Sequence, residues 1–323
     1  MGRIEEIDIC KGIAILTVIW HHSLIVYPIN VLNVGWCKIA WLIDHTYFMQ
    51  LFFLVSGYLL AFSNISSCKS IIYRKAKRLL IPYFCYEILN FLLKLSFPTL
   101  VNRKVEIISL YFYQMLFQGG ELWFLYVLFL LFVIWTYVLK RTNKIVHLSI
   151  IGILILICCL FQISQIDNLL LLGQVVRYSP FFIIGYCLKS IKLEKLFRKH
   201  IVLIITIVYI SLCVLLLNVI MGKPFIWFLI SFVGCYFVWS ISYKLKFLRL
   251  VNKSLSYFGK YSLPLYWLNG FALVISRTIS IKVCPYNNTV LLVACIFVIC
   301  LTLEVVGVQI IKKAPVFSKF VGF

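Results

Sequence analysis

Ten long apolar segments follow one another along this 323-residue chain, at about 8–29, 41–63, 79–100, 122–139, 145–165, 172–188, 201–220, 225–243, 261–281 and 289–310. Each is close to the ~20 residues an α-helix needs to cross a ~30 Å hydrocarbon core. The polar stretches between them are under about 25 residues, too short for a soluble appendage. The pattern predicts an all-α polytopic membrane protein with about ten transmembrane helices, forming one membrane-embedded domain over 1–323. Proline and glycine punctuate the helices at Ser56-Gly57, Pro82, Pro180, Gly185, Pro264 and Gly270. Gly57 and Gly185 read as close-packing positions; such residues also mark helices broken around a polar cavity. Residues 101–121 are partly apolar and read as an interfacial or re-entrant helix ended by Gly119-Gly120. No internal repeat is visible, which weighs against the common transporter architectures.

Composition agrees with the pattern: 63% of residues are hydrophobic, 13% are charged and the mean hydropathy is +1.03. A net charge of +21 in a soluble chain would point to nucleic acid, but here its distribution is what counts. With the N-terminus inside, the inner regions are the N-terminal end, 64–78, 140–144, 189–200, 244–260 and the tail after Ile311. They hold all but eight of the 31 lysines and arginines, the eight being Lys38, Lys94, Arg103, Lys104, Arg177, Lys223, Arg277 and Lys282. The asymmetry predicts both termini in the cytoplasm and a multi-pass protein of the plasma (inner) membrane. Glu5, Glu6 and Asp8 stand where a cleavable leader would be basic, so the first helix is expected to remain as an anchor. Twelve cysteines lie scattered in apolar segments without a CxxC and read as packing residues; Cys37 and Cys284 fall on the same predicted outer side. The five histidines have no ligand-spaced partner, so no metal site is expected.

Chemistry concentrates in the first helix, where Asp8, Lys11 and His22 interrupt an apolar run. An ionisable residue in hydrocarbon costs about 2.5–3.5 kcal/mol on insertion scales, so such residues tend to have a purpose. Eleven positions at about 100° each bring His22 within roughly 20° of Lys11, about 16 Å further along the axis. Asp8 lies about 40° to the other side of His22 and is placed to pair with Lys11, while His21 points about 80° away from Lys11. Histidine, with an ordinary pKa near 6.5, is a base at working pH. The basic run Arg74, Lys75, Lys77 and Arg78 lies at the predicted cytoplasmic face, where it serves either as positive-inside anchoring or as a phosphate contact. Glu87 and Glu304 sit inside helices and each needs a partner, an ion pair with Lys or Arg or a substrate contact. Glu121 and Trp123 fall near the outer mouth, where a carboxylate and an indole suit a sugar. His147 and His200 lie at helix ends and are expected to be solvated.

Several segments carry a further signal when taken in order: D-I-C-K-G-I-A-I-L-T-V-I-W-H-H, F-M-Q-L-F-F-L-V-S-G-Y-L-L, R-K-A-K-R-L-L-I-P-Y, L-W-F-L-Y-V-L-F-L, P-F-F-I-I-G-Y and F-G-K-Y-S-L-P-L-Y-W-L. The set resembles the acyltransferase-3 family of integral-membrane O-acyltransferases over essentially the whole chain. The resemblance implies transfer of an acyl group, most often acetyl, from cytoplasmic acyl-CoA as co-substrate to a hydroxyl of a surface glycan or its lipid-linked precursor. The family's Arg/Lys-x10-His falls on Lys11 and His22, with Asp8 beside Lys11, as the catalytic set. Its basic Arg-x-x-Arg element is best matched by Lys75 and Arg78, with Arg74 adjacent, as the acyl-CoA-binding set. His45, Glu121, Trp123 and Asn269 are the expected acceptor contacts. The chain departs from the family pattern in having Phe48 and Asn269 where many members have histidine, with His45 three residues before Phe48, and in having Glu121 before L-W-F-L.

Two other classes remain compatible with the residues. A transporter or flippase of a lipid-linked glycan would also need many spans, but it usually lines its path with more midplane charges. A non-catalytic sensor or assembly protein would tolerate loss of His22.

Overall fold

The computed structural model describes residues 4–26, 30–63, 68–97, 107–161, 171–191, 196–216, 223–284 and 288–322. The described residues are helical, with no strand among them. In chain order the helices are α1 Glu5–Ser23, α2 Gly35–Asp44, α3 Phe48–Ala61, α4 Cys68–Ser96, α5 Ile108–Tyr113, α6 Trp123–Arg141, α7 Lys144–Leu160, α8 Leu172–Leu188, α9 Lys199–Leu216, α10 Pro224–Leu245, α11 Arg249–Lys260, α12 Ser262–Val283, α13 Thr289–Lys313 and α14 Pro315–Phe320. Every one of the ten apolar segments overlaps at least one of these helices. Five stretches, Gly35–Ala61, Cys68–Ser96, Trp123–Arg141, Pro224–Leu245 and Thr289–Lys313, are long and apolar enough to cross a membrane. Large apolar side chains stay exposed along α7, α9 and α13, among them Leu148, Ile153, Leu203, Ile207, Val298 and Ile310. An outward apolar face is what contact with lipid requires.

α1 is the centre of the bundle, packed by α2, α3, α10, α11, α12 and α13. Its contact with α11 is made backbone to backbone. A Cβ at Gly12 would strike the Leu255 carbonyl, and one at Gly259 would strike the Asp8 carbonyl. Gly57 on α3 and Gly185 on α8 repeat the arrangement against the Phe182 and Leu54 carbonyls. Apolar burial drives helix association weakly in lipid, so small residues that admit close backbone approach do much of that work.

Two features depart from the expected segmentation. The region 244–260, expected as an inner loop, contains α11, whose N-terminal neighbourhood grips the acids of α1: Lys246 lies 3.7 Å from Glu6, and Asn252 Nδ2 donates to Glu5 at 3.0 Å. Its mixed composition hid it, because α11 buries one narrow stripe against α1 and leaves lysines and arginine exposed beside Leu250 and Val251. The segment 41–63 is broken between α2 and α3 at residues 45–47. Its freed polar groups are satisfied from neighbours: Gln50 Nε2 donates to the His45 carbonyl at 2.7 Å, Thr46 Oγ1 bonds Tyr209 Oη at 2.6 Å, and Tyr47 Oη bonds Thr17 Oγ1 at 3.1 Å. A backbone break at membrane depth is tolerated only with such partners.

The interlock predicts that Gly259→Ala lowers the thermal unfolding midpoint of the detergent-purified protein, at a cost of about 1–3 kcal/mol. Gly152→Ala, where nothing lies within 4 Å of the new Cβ, should leave the midpoint unchanged or raise it. Equal behaviour of the two variants would contradict the interlock.

Candidate active site

The α1–α11 crossing sets Asp8 and Lys11 beside Lys260. α4 completes the group: Lys75 and Arg78, three residues apart, fall on one helix face. Together they line one end of a cavity of about 260 Å³. The Lys75 ammonium sits 4.1 Å above the Phe132 ring, a cation–π contact that holds the lysine against the wall. Arg78 and Lys260 are exposed, so the cationic end opens out of the bundle. The walls further in are apolar and aromatic, from Phe52 on α3, Phe124, Leu128 and Phe132 on α6, and Tyr266 on α12, and the lining reaches Val18 on α1. Such a cavity suits an elongated ligand with an anionic end and a less polar remainder.

One turn beyond Val18 stands His22. Its Nδ1 is 2.8 Å from the Val18 carbonyl. A carbonyl oxygen only accepts, so Nδ1 carries the hydrogen and the neutral ring keeps its lone pair on Nε2. Arg277 Nη2 donates to the His22 carbonyl at 2.7 Å, placing a cation at the C-terminal end of α1 where the helix dipole favours one. His45 is fixed the same way, its Nδ1 donating to the Trp41 carbonyl at 2.8 Å. His21 points to another side, buried 3.5 Å from Asp44 Oδ2 with its ring centroid 4.5 Å from that of His45.

The structure brings Asp8, Lys11, Lys75 and Arg78 together at one cavity. Arg74 is exposed and outside the lining. Glu121 pairs with Lys94 at 2.8 Å, and the Trp123 ring stacks on Tyr178 at 5.7 Å. Asn269 is buried between α12 and α13, where its Nδ2 donates to Glu304 Oε1 at 2.7 Å. The two buried glutamates have neutral partners rather than the Lys or Arg considered for them. Glu87 accepts from the backbone amides of Glu121 at 2.7 Å and Leu122 at 3.1 Å, and from Tyr111 Oη at 3.1 Å. It thereby pins the turn after α5, where Gly119 and Gly120 have positive φ of 86° and 53°. His147 is buried rather than solvated, bonding Thr142 Oγ1 at 2.9 Å; His200 is exposed. All twelve cysteines are free thiols, Cys37 and Cys284 included. Among the described residues no group of three or more His, Cys, Asp or Glu side chains is placed to hold a metal ion.

Sequence reasoning passed over Lys260, Ser56, Ser262 and Tyr266 in the cavity lining and Arg277 at His22. The stretch F-G-K-Y-S-L-P-L-Y-W-L contained all of these but Ser56 and Arg277. The available signal was Gly259 next to Lys260, a small residue setting a cation against another helix.

A helical membrane protein with a cationic, aromatic-walled cavity that reaches Val18, one turn before the half-buried His22, has the parts of an acyl-transfer enzyme. The chain belongs to the acyltransferase-3 family: a family profile described as an acyltransferase domain matches residues 4–308. It is an acyltransferase. No curated protein and no solved structure matches it.

Glu87→Ala should free two backbone amides and the Tyr111 hydroxyl at once, destabilising the protein by about 1–3 kcal/mol. Hydrogen exchange at the amides of Glu121 and Leu122 should accelerate; unchanged exchange would show that the turn holds without Glu87.

Proposed function

We propose that the enzyme transfers an acyl group, acetyl by preference, from acyl-CoA to a hydroxyl of a cell-surface polysaccharide or its lipid-linked precursor. The observation that carries this reading is the cavity, which joins four cations to aromatic walls and reaches Val18, one turn before His22. The phosphates of CoA are matched by Lys11, Lys75, Arg78 and Lys260, arginine offering a planar fork and lysine a point charge. The pantetheine arm, flexible and less polar, runs between Phe52, Phe124 and Tyr266 toward Val18. Asp8, next to Lys11, orients it.

Nε2 of His22 then removes the proton of the acceptor hydroxyl as its oxygen attacks the thioester carbonyl. The carbon–sulfur bond breaks, the acyl–oxygen bond forms, and the leaving thiolate takes up the proton to give free CoA. The hydrogen bond from Nδ1 to the Val18 carbonyl keeps the basic nitrogen free for this step. Glu121, Trp123 and His45 are the proposed contacts of the acceptor.

In the proposed topology ten spans cross the plasma membrane with both termini cytoplasmic, as the basic inner regions require. The cationic end of the cavity then faces the cytoplasm, where acyl-CoA is, and His22 lies toward the opposite side.

Inside-out vesicles carrying the protein should move label from radiolabelled acetyl-CoA into the glycan fraction. His22→Ala should lower that transfer about 10²–10⁴-fold while inserting normally. Lys75→Ala combined with Lys260→Ala should raise KM for acetyl-CoA with a smaller effect on kcat. Equal labelling by wild type and His22→Ala would overturn the role of His22, and label appearing only with another acyl-CoA would overturn the acetyl assignment.

A further inference from the structure

Around His22 the transfer chemistry leaves two cations without a task. Arg277 donates through Nη2 to the His22 carbonyl, while its Nε is buried and bonded to nothing. Arg177 lies over aromatic rings, 4.1 Å from the Trp227 centroid and 5.9 Å from that of Tyr178. Among the described residues neither has a carboxylate within 4.0 Å, and the acids at this end are engaged elsewhere: Glu121 with Lys94, Glu87 with backbone amides, Asp44 facing His21. The arginines flank the histidines. Arg277 and Glu121 act electrostatically on His22, and Arg177 and His22 act on His45.

A cation embedded in a bundle without a counter-ion is costly, and arginine is the side chain whose fork matches carboxylate and phosphate in two parallel hydrogen bonds. Arg277 also caps α1, but that bond occupies one of five N–H donors. The surroundings of Arg177 are aromatic, with Trp227 under the guanidinium and Trp123 stacked on Tyr178 at 5.7 Å. Trp227 is buried beneath the cation, so the half-buried Trp123 is the indole that offers a face to a pyranose ring bearing an acidic group.

The geometry points to an anionic acceptor: the hydroxyl that His22 activates belongs to a saccharide whose carboxylate or phosphate is bound by Arg277, with Arg177 adding positive field. This inference rests on the reading of the site as one that acylates a saccharide. The negative group serves as an address, holding the sugar so that one hydroxyl meets Nε2, and it would exclude neutral glycans.

The test is direct binding to the purified full-length protein in detergent, without catalysis. The probes are a glucuronic-acid-containing oligosaccharide, a polyprenyl-phosphate-linked sugar and a neutral gluco-oligosaccharide, each against wild type, Arg277→Gln and Arg277→Lys. One or both acidic probes should bind wild type more tightly than the neutral one. Their affinity should fall about tenfold or more in Arg277→Gln and recover only in part in Arg277→Lys, which keeps the charge but not the fork. The carboxylate probe binding alone makes the address an acidic sugar, and the phosphate probe binding alone makes it the lipid-linked phosphate. Acetyl-CoA affinity on the same preparations should be the same in all three proteins, which separates loss of the address from loss of the fold. Neutral and acidic probes binding alike, or Arg277→Gln binding as wild type does, would overturn the inference. Acidic probes binding while acetyl-CoA does not would leave it standing and sink the donor assignment instead.

Discussion

The site depends on one contact, the glycine crossing of α1 and α11. Gly12 and Gly259 let two helix backbones meet, Gly12 at the Leu255 carbonyl and Gly259 at that of Asp8. Any side chain there would push α11 outward and take Lys260 from Lys11. The Gly57–Gly185 crossing does the same for α3 and α8 and so fixes the wall bearing Phe52 and Ser56. In lipid, where apolar side chains gain little from meeting one another, such backbone contacts and a few buried hydrogen bonds define relative helix position.

Polar groups divide accordingly into those that hold the bundle and those that face the cavity or surround His22. Glu87 satisfies a turn, Glu304 and Asn269 tie α12 to α13, and Gln50 and Thr46 mend the break before α3. The second set is the cations at one end of the cavity, His22 with its oriented ring, and the two arginines near the histidines. The functional reading follows from that second set.

Much of the fold was legible in the chain. Apolar length alone marked every segment that became a membrane-scale helix, because a 30 Å core imposes a length on each. The stripe of Asp8, Lys11 and His22 was legible from helical period, since a single helix carries it; the structure lines the cavity with the first two and sets His22 one turn past Val18. The partners on other helices were not legible. Lys260 needed the path of α11, which reads as a loop because its burial is a narrow stripe. Asn269 was expected at the acceptor because a family position pointed there, whereas the buried carboxyl of Glu304 claims its amide. His147 was expected in solvent on account of its helix-end position, yet Thr142 and Cys187 close over it.

The central claim is that acyl-CoA lies in the cavity between α1, α4, α11 and α12 with its phosphates on Lys75, Arg78 and Lys260. A photoreactive acetyl-CoA analogue, crosslinked to the membrane-embedded enzyme and mapped by peptide mass spectrometry, addresses it directly. The account predicts adducts on residues 75–79, 124–132 and 259–266, suppressed by excess acetyl-CoA. Suppressible adducts confined to other helices would contradict it.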